Sequence, residues 1–340
     1  MSARSSRAGI LGGLALLGLL LAVSGGGAAA QTDSEAGRPP AYQLLDQVAS
    51  AVRERSYRGT FIYHYGGRME AMGIVHRGGP DGRRERLYSL NGAAREIIRD
   101  DERVTCILPD DGSVLVDRRQ LRNPLSGVLP SVGFEVKPVY RVRLAGRGRI
   151  AGRDARQLLI TPRDRFRYGV SLWVDQKTSL LLRSDLLDRQ GKAVEQIMFT
   201  ELEVLEAVPD EWLEPDLPAG DYRWYRQPAG GPHWVAESPQ EPAWVIERLP
   251  EGFIATDFQR AAIAAHDGIV EHQVLSDGFA TISVYVNPLG EAPPLQGDFR
   301  LGAVHAHGSV VDGHQVVVVG AVPPATVAMV ADSVRYRRRP

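Results

Sequence analysis

The spacing of apolar positions changes character three times along this chain. Tyr42–Arg55 carries Leu44, Leu45, Val48 and Val52 three and four apart, with Arg and Glu on the other side. That spacing predicts an amphipathic helix. From Gly59 the period drops to two. Strands are predicted at Gly59–Tyr65, Met69–His76, Arg84–Tyr88, Ala94–Arg99, Arg103–Leu108, Ser113–Asp117, Tyr140–Leu144, Gln157–Thr161, Gly169–Asp175, Ser179–Leu186 and Ala193–Leu205. Gly66-Gly67, the GGPDG run at 78–82, Asn91-Gly92 and the DDG run at 110–112 supply turns between them. Short strands joined by turn residues describe one antiparallel meander. With a single clear helix in front, the economical arrangement is a curved sheet packed on that helix, one face covered and one available.

Between 207 and 250 the alternation disappears. Pro209, Pro215, Pro218, Pro228, Pro232, Pro239, Pro242 and Pro250 interrupt the stretch, and Trp212, Trp224, Trp234 and Trp244 lie within it. Proline withholds ladder donors, while tryptophan exposes too much apolar area for a free linker. The segment reads as a connector lying on a surface. Alternation returns with Phe253–Asp257, Ala261–His266, Val270–Ser276 and Phe279–Asn287; a Pro-rich loop at 288–294 follows, then a hairpin over 303–319. A two-residue Asp312-Gly313 turn sets Val311 opposite His314, His307 opposite Val318 and His305 opposite Gly320. Pro323-Pro324 opens a last helix with Val327, Val330, Ala331 and Val334 on one face. The fold class is α+β in two domains, 41–206 and 251–336, joined by the connector at 207–250.

The N-terminus adds a compartment. Arg4 and Arg7 precede an apolar run, Ile10–Val23, and Ala28-Ala29-Ala30 stands before Gln31. This is a secretory signal peptide over 1–30, cleaved near Ala30, its run of about 14 residues being short for a membrane span of about 20. Export places the chain in the periplasm. Cys106 is the sole cysteine, so no internal disulfide forms, and the net charge of −1 points away from nucleic acid.

No catalytic motif is present: no nucleophile elbow, zinc-protease helix, P-loop or dinucleotide fingerprint. His305 and His307 share a strand face, but the hairpin register puts His314 several residues away, and zinc needs three or four converging ligands. The chain reads as a non-enzyme without metal or cofactor. Binding chemistry has better candidates. Phe61, Tyr63 and Tyr65 point to one face of the first sheet, and Val170, Leu172 and Val174 share a face on another strand; together they are candidates to line a groove for an acyl chain or an extended peptide. Arg163, Arg165 and Arg167 are candidates for an anionic headgroup. The four tryptophans of the connector, Trp212, Trp224, Trp234 and Trp244, are candidates to set the angle between domains.

Several long segments resemble one family. YRGTFIYHYGGRMEAMGIVHR, YSLNGAAREIIRDDERVTCILPD and SLWVDQKTSLLLRSDLLDRQGKAVEQIMFTELEV are similar to the N-terminal domain of the MucB/RseB family, and SDGFATISVYVNPL and VDGHQVVVVGAVPPATVAMVADSV to its small domain. The resemblance runs in order over nearly the whole chain after residue 40. It implies a lipoprotein-carrier-like first domain, an incomplete antiparallel barrel over helices, and a smaller antiparallel sheet with a C-terminal helix. It also implies a periplasmic regulator that binds the periplasmic region of a membrane-spanning anti-sigma factor and shields it from the first regulatory protease. Lipopolysaccharide or acyl chains would compete for release. A periplasmic lipid or lipoprotein carrier is the alternative, and a homo-oligomer stays open.

Overall fold

The structure is a computed structural model; it describes residues 39–79, 82–110, 112–117, 129, 138–216, 222–226, 241–262, 269–290 and 293–337. The expected signal segment, Trp234 and the side chain of Trp224 lie outside the described residues.

Helix α1 spans Pro40–Glu54, with proline at its first position and Arg55 already extended at its end. Ala41, Leu45, Val48 and Val52 form its buried stripe. Eleven strands follow: β1 (Ser56–Tyr65), β2 (Arg68–Arg77), β3 (Arg84–Ser89), β4 (Glu96–Asp100), β5 (Val104–Leu108), β6 (Ser113–Asp117), β7 (Tyr140–Ile150), β8 (Arg153–Pro162), β9 (Gly169–Asp175), β10 (Leu181–Leu187) and β11 (Ala193–Leu205). They make one sheet in the order β6-β5-β4-β3-β2-β1-β11-β10-β9-β8-β7, extended beyond β6 by β12 (Arg223–Arg226), which runs parallel to it. All other neighbours are antiparallel, and β1 pairs with β11, so the two halves of the meander join at the sheet's middle, while among the described residues the outermost strands, β7 and β12, each pair on one side alone. The expected open antiparallel sheet is present, with α1 packed on it.

The sheet and α1 share one apolar cluster. Leu45 and Val48 pack with Phe61, Ile74, Leu87, Leu158, Ile160, Leu172, Leu182, Ile197 and Phe199, all nearly inaccessible. At about 25 cal/mol per Å² of apolar area, burying side chains of this size drives closure of the helix onto the sheet. β7 and β8 run further than the alternation predicted because Ala151 (φ 49°) and Gly152 (φ 73°) form a tight hairpin turn. An Ala-Gly pair gives little sequence warning of a turn that needs two positive φ angles.

The small domain has a sheet in the order β14-β15-β16-β19-β18-β17, formed by β14 (Ile254–Ala262), β15 (Ile269–Ser276), β16 (Thr281–Pro288), β17 (Gly297–Leu301), β18 (Val304–Val311) and β19 (His314–Gly320). Helix α2 (Pro324–Ala331) lies over β18 and β19. The predicted hairpin register is observed: Val311 pairs with His314, His307 with Val318 and His305 with Gly320, with Asp312 at φ 48° and Gly313 at φ 73°. Three expectations need correction. Residues 254–262 form one continuous strand rather than two, and 263–266 lie outside the described residues. β17 occupies a stretch that its neighbouring prolines had suggested was loop. Val334 belongs not to the last helix but to β20 (Val334–Tyr336), paired with β13 (Trp244–Ile246); its side chain is still buried with Val327 and Val330.

Candidate binding site at the joint of the two domains

The connector is docked at both ends. A 3-10 turn at Asp210–Leu213 follows β11, and Leu213 and Val208 pack on Val75 with Trp212 beside them. Arg58 sits over the Trp212 ring at 4.6 Å. Arg86 is buried between Glu96 (3.1 Å) and Asp216 (2.7 Å); burial works to lower its pKa, but the two carboxylates hold it net above the ordinary value. A cavity of about 540 Å³ lies here, lined by Arg58, Arg86, Tyr88, Glu201, Glu211 and Trp212. At the other end Trp244 is buried in the small domain's core against His314 and Tyr336. Trp212 and Trp244 thus anchor to different cores rather than meeting at a shared pivot. Trp224 contributes backbone pairing to Val114 in β12.

The joint itself is built around Arg167, in the loop between β8 and β9. Its guanidinium has no exposed surface. Nε donates to Asp277 Oδ2 at 2.5 Å, Nη1 pairs with Asp164, and Nη2 donates to the Glu251 carbonyl. The Phe253 ring lies 4.9 Å away. Asp277 stands in the turn between β15 and β16; Oδ1 accepts the amides of Phe279 (3.0 Å) and Ala280 (2.8 Å), and Oδ2 also accepts the Tyr140 hydroxyl at 2.8 Å. Desolvation, reinforced by Asp277, pushes the Tyr140 phenol far up. Tyr140 in turn meets the Phe279 ring edge-on at 4.9 Å, and Phe279 belongs to the large domain's core cluster. A side chain of the small domain therefore completes the core of the large one.

Two further contacts fix the angle. The Thr326 hydroxyl at the start of α2 donates to the Phe166 carbonyl at 2.8 Å. The Tyr168 hydroxyl lies 3.3 Å from His305 Nδ1, which donates to the Val322 carbonyl at 2.9 Å. Burial lowers the pKa of His305 and pushes that of Tyr168 up to about 12. At the far side the β1–β2 turn approaches the β17–β18 turn. A Cβ on Gly66 would stand 3.1 Å from the Gly302 amide nitrogen, and both glycines hold positive φ, 54° and 61°. Beside them a second cleft of about 540 Å³ runs between the domains, lined by His64, Gly67, Asp188, Lys192, Arg300 and Leu301.

The residues picked from the sequence are distributed otherwise. Phe61, Val170, Leu172 and Val174 are fully packed in the core under α1, and Tyr63 stacks on Tyr65 at 4.5 Å at its margin. Tyr63 donates to Glu195 at 3.0 Å and Tyr65 to Glu70 at 2.6 Å. A ligand reaching these positions would have to open that core. Arg163 and Arg165 are exposed, whereas Arg167 is withdrawn from solvent and committed to Asp277; it is no surface anion site, because its charge is already neutralised. Asp277, Tyr140, Phe253 and Phe279 were not singled out beforehand. Asp277-Gly278 reads only as a turn, and no local pattern links it to an arginine 110 positions earlier. Among the described residues no group of three or more His, Cys, Asp or Glu is placed to hold a metal, and no helix is long and apolar enough to cross a membrane.

Fold and joint together define a two-domain, sheet-built protein whose small domain is plugged into the large one by a buried ion pair, with an open cleft at the junction. The MucB/RseB N-terminal domain matches residues 40–217 and the MucB/RseB C-terminal domain residues 238–335. The sigma factor AlgU regulatory protein MucB of Pseudomonas aeruginosa is 36% identical over 330 residues, 95% of this chain and 96% of that protein. The sigma-E factor regulatory protein RseB of Escherichia coli is 25% identical, covering 88% of this chain and 91% of that one. A crystal structure of MucB in complex with MucA(peri) superposes with a TM-score of 0.67 at 30% identity, over 88% of this chain and 100% of that chain. The chain belongs to the MucB/RseB family.

Proposed function

We propose that this protein is an exported, non-catalytic regulator that binds the periplasmic segment of a membrane-spanning anti-sigma factor. By occupying that segment it keeps the regulatory protease from it and the envelope-stress sigma factor inactive. The observation that carries this reading is the likeness, over nearly the whole described chain, to a MucB structure that holds MucA(peri). The cleft between β1, β11 and β17 is our candidate for the contact surface. It joins both domains, and its lining mixes His64, Asp188, Lys192 and Arg300, which suits a polar peptide better than an acyl chain.

Release by lipopolysaccharide or acyl chains belongs to the same proposal. A ligand shifts the complex only by its differential affinity for the bound and free forms. The packed core under α1, with Phe61, Leu172 and Val174, is where an acyl chain would have to enter, and Arg163 and Arg165, exposed in the loop after β8, are our candidates for its headgroup. The test is a calorimetric titration of the purified protein with the periplasmic segment of its host's anti-sigma factor, with and without lipopolysaccharide. Binding that weakens when lipopolysaccharide is present is the expected result. Capture of acyl chains without any anti-sigma binding would overturn it in favour of a lipid or lipoprotein carrier.

A further inference from the structure

Residues 139–167, the β7–β8 hairpin with the loop after it, contain nine arginines and two aspartates. That is a surplus of seven positive charges in a chain whose net charge is −1. The rest of the chain is correspondingly acidic, so charge is polarised over the molecule rather than mixed.

Two of the nine arginines are committed. Arg153 pairs with Asp175 at 3.1 Å, and Arg167 is buried against Asp164 and Asp277. Among the described residues the other seven have no carboxylate partner. β7 sets out four of them along its length. Tyr140 and Val142 are buried, which turns Arg141 and Arg143 to the opposite, exposed face. The register shifts between Leu144 and Arg147, and beyond the shift Arg147, Gly148 and Arg149 are exposed in succession.

The partner strand adds to the charge instead of offsetting it. Arg147 stands directly opposite Arg156 of β8, a like-charge pair that costs stability. The ladder continues past β8 through the Arg163 amide, which donates to the Val139 carbonyl at 2.9 Å. Thr161 is opposite Arg141, so Arg163, itself exposed, flanks Arg141 diagonally at about 7–8 Å.

The layout selects the kind of anion. From Arg141 to Arg149 an extended strand covers about 27 Å. That is several times the size of one phosphate or carboxylate and well beyond a screening length of about 8 Å. Charges spread in this way do not converge on a compact ligand, and none of these arginines lines the cavities beside Trp212 or Gly302. An array of phosphodiester headgroups meets all of them at once, and the guanidinium fork matches each headgroup.

We propose that the β7–β8 hairpin is a docking surface for an anionic phospholipid bilayer, holding the protein against the membrane surface through Arg141, Arg143, Arg147 and Arg149. The contact is with headgroups alone, so no acyl chain has to enter the core under α1. It is independent of whether the chain binds an anti-sigma factor.

Co-sedimentation of the purified protein with vesicles tests it. One set is phosphatidylcholine; the other replaces a third of it with phosphatidylglycerol of the same acyl chains. The wild type should bind the anionic vesicles alone and be released as salt rises from about 50 to 500 mM. Each arginine removed should weaken binding about 5-fold. Arg141→Gln with Arg143→Gln, and Arg147→Gln with Arg149→Gln, should therefore each lose about 25-fold. Arg55→Gln with Arg189→Gln removes as much charge from exposed positions elsewhere and should bind like the wild type. Equal binding to both vesicle sets, full binding by the β7 variants, or an equal loss in the Arg55/Arg189 control would each overturn the proposal. Release by about 10 mM inorganic phosphate at constant ionic strength would show a compact phosphate site instead, and retention on immobilised polyglutamate but not on vesicles an acidic protein partner; either overturns it. All four β7 positions are exposed, and an unchanged circular dichroism spectrum checks that the variants fold.

Discussion

Arg167 Nε and Asp277 Oδ2 stand 2.5 Å apart with neither side chain exposed to solvent, one from the large domain and one from the small. Removing one partner of such a pair leaves an uncompensated buried charge. Arg167→Met is therefore expected to cost about 3–5 kcal/mol. Burial alone would lower the arginine's pKa, but Asp277 and its neighbours hold it net above the ordinary value, so it stays charged. In urea unfolding, Arg167→Met combined with Asp277→Ala should cost clearly less than the two singles added together. Strict additivity would mean that the pair does not couple the domains.

Gly59 tests the meander's closure. A Cβ there would stand 2.3 Å from the Glu201 carbonyl oxygen and 3.1 Å from the Phe199 ring. Gly59→Ala must push β1 away from β11 beside the bulge at Thr60/Phe61, at a cost of about 1–3 kcal/mol. Gly67→Ala is the control: its φ of 78° is unfavourable, but nothing lies within 4 Å, and about 1 kcal/mol is expected. Equal shifts in the denaturation midpoint would contradict the steric account.

The two ends of the connector should respond differently. Trp244 is 4% exposed within the small core, so Trp244→Ala should cost about 3–5 kcal/mol. Trp212 is half-buried under Arg58; Trp212→Ala loses a cation–π contact of about 0.5–1 kcal/mol and part of its apolar burial. Thermal unfolding of the two variants, read together, decides this, and a larger loss at Trp212 would refute it.

His305 gives a pH dependence. Its folded pKa lies below the ordinary value near 6.5, because burial disfavours the imidazolium; the nearby Arg300 pushes the same way, and hydrogen bonds to Val322 and Ala303 and the charge of Asp298 oppose it. The unfolded chain therefore binds the proton first as pH falls. Stability from this group is intact above about pH 6.5 and is lost progressively below it, until the folded form also protonates. Comparing wild type with His305→Gln from about pH 7.5 to 5 should show a difference in slope confined to the acid side of pH 6.5. Parallel curves would remove His305 from the account.

Much of the local structure was legible because it depends on neighbours in sequence. The α1 stripe, the Asp312-Gly313 hairpin and its register, and the Pro-Pro start of α2 follow from side-chain period, turn geometry and the fixed φ of proline. β17 was hidden by the prolines before it, and Val334 by a helical spacing that a short strand also satisfies. Parity placed Phe61, Val170, Leu172 and Val174 on shared faces, but parity does not say whether a face is open or filled. Here α1 and the returning strands fill it.

The sequence by itself determined a large antiparallel sheet, a smaller sheet with a C-terminal helix and, through long segments in order, the family. Only the tertiary structure decided that Arg167 is buried rather than solvated, that Asp277 and Phe279 complete the joint with the large domain, and that β17 is the outermost strand of the small sheet among the described residues. The reason is range. Period, turns and capping act over a few residues, whereas the partner of a buried charge is set by packing between segments far apart in the chain, as Arg167 and Asp277, 110 positions apart, are.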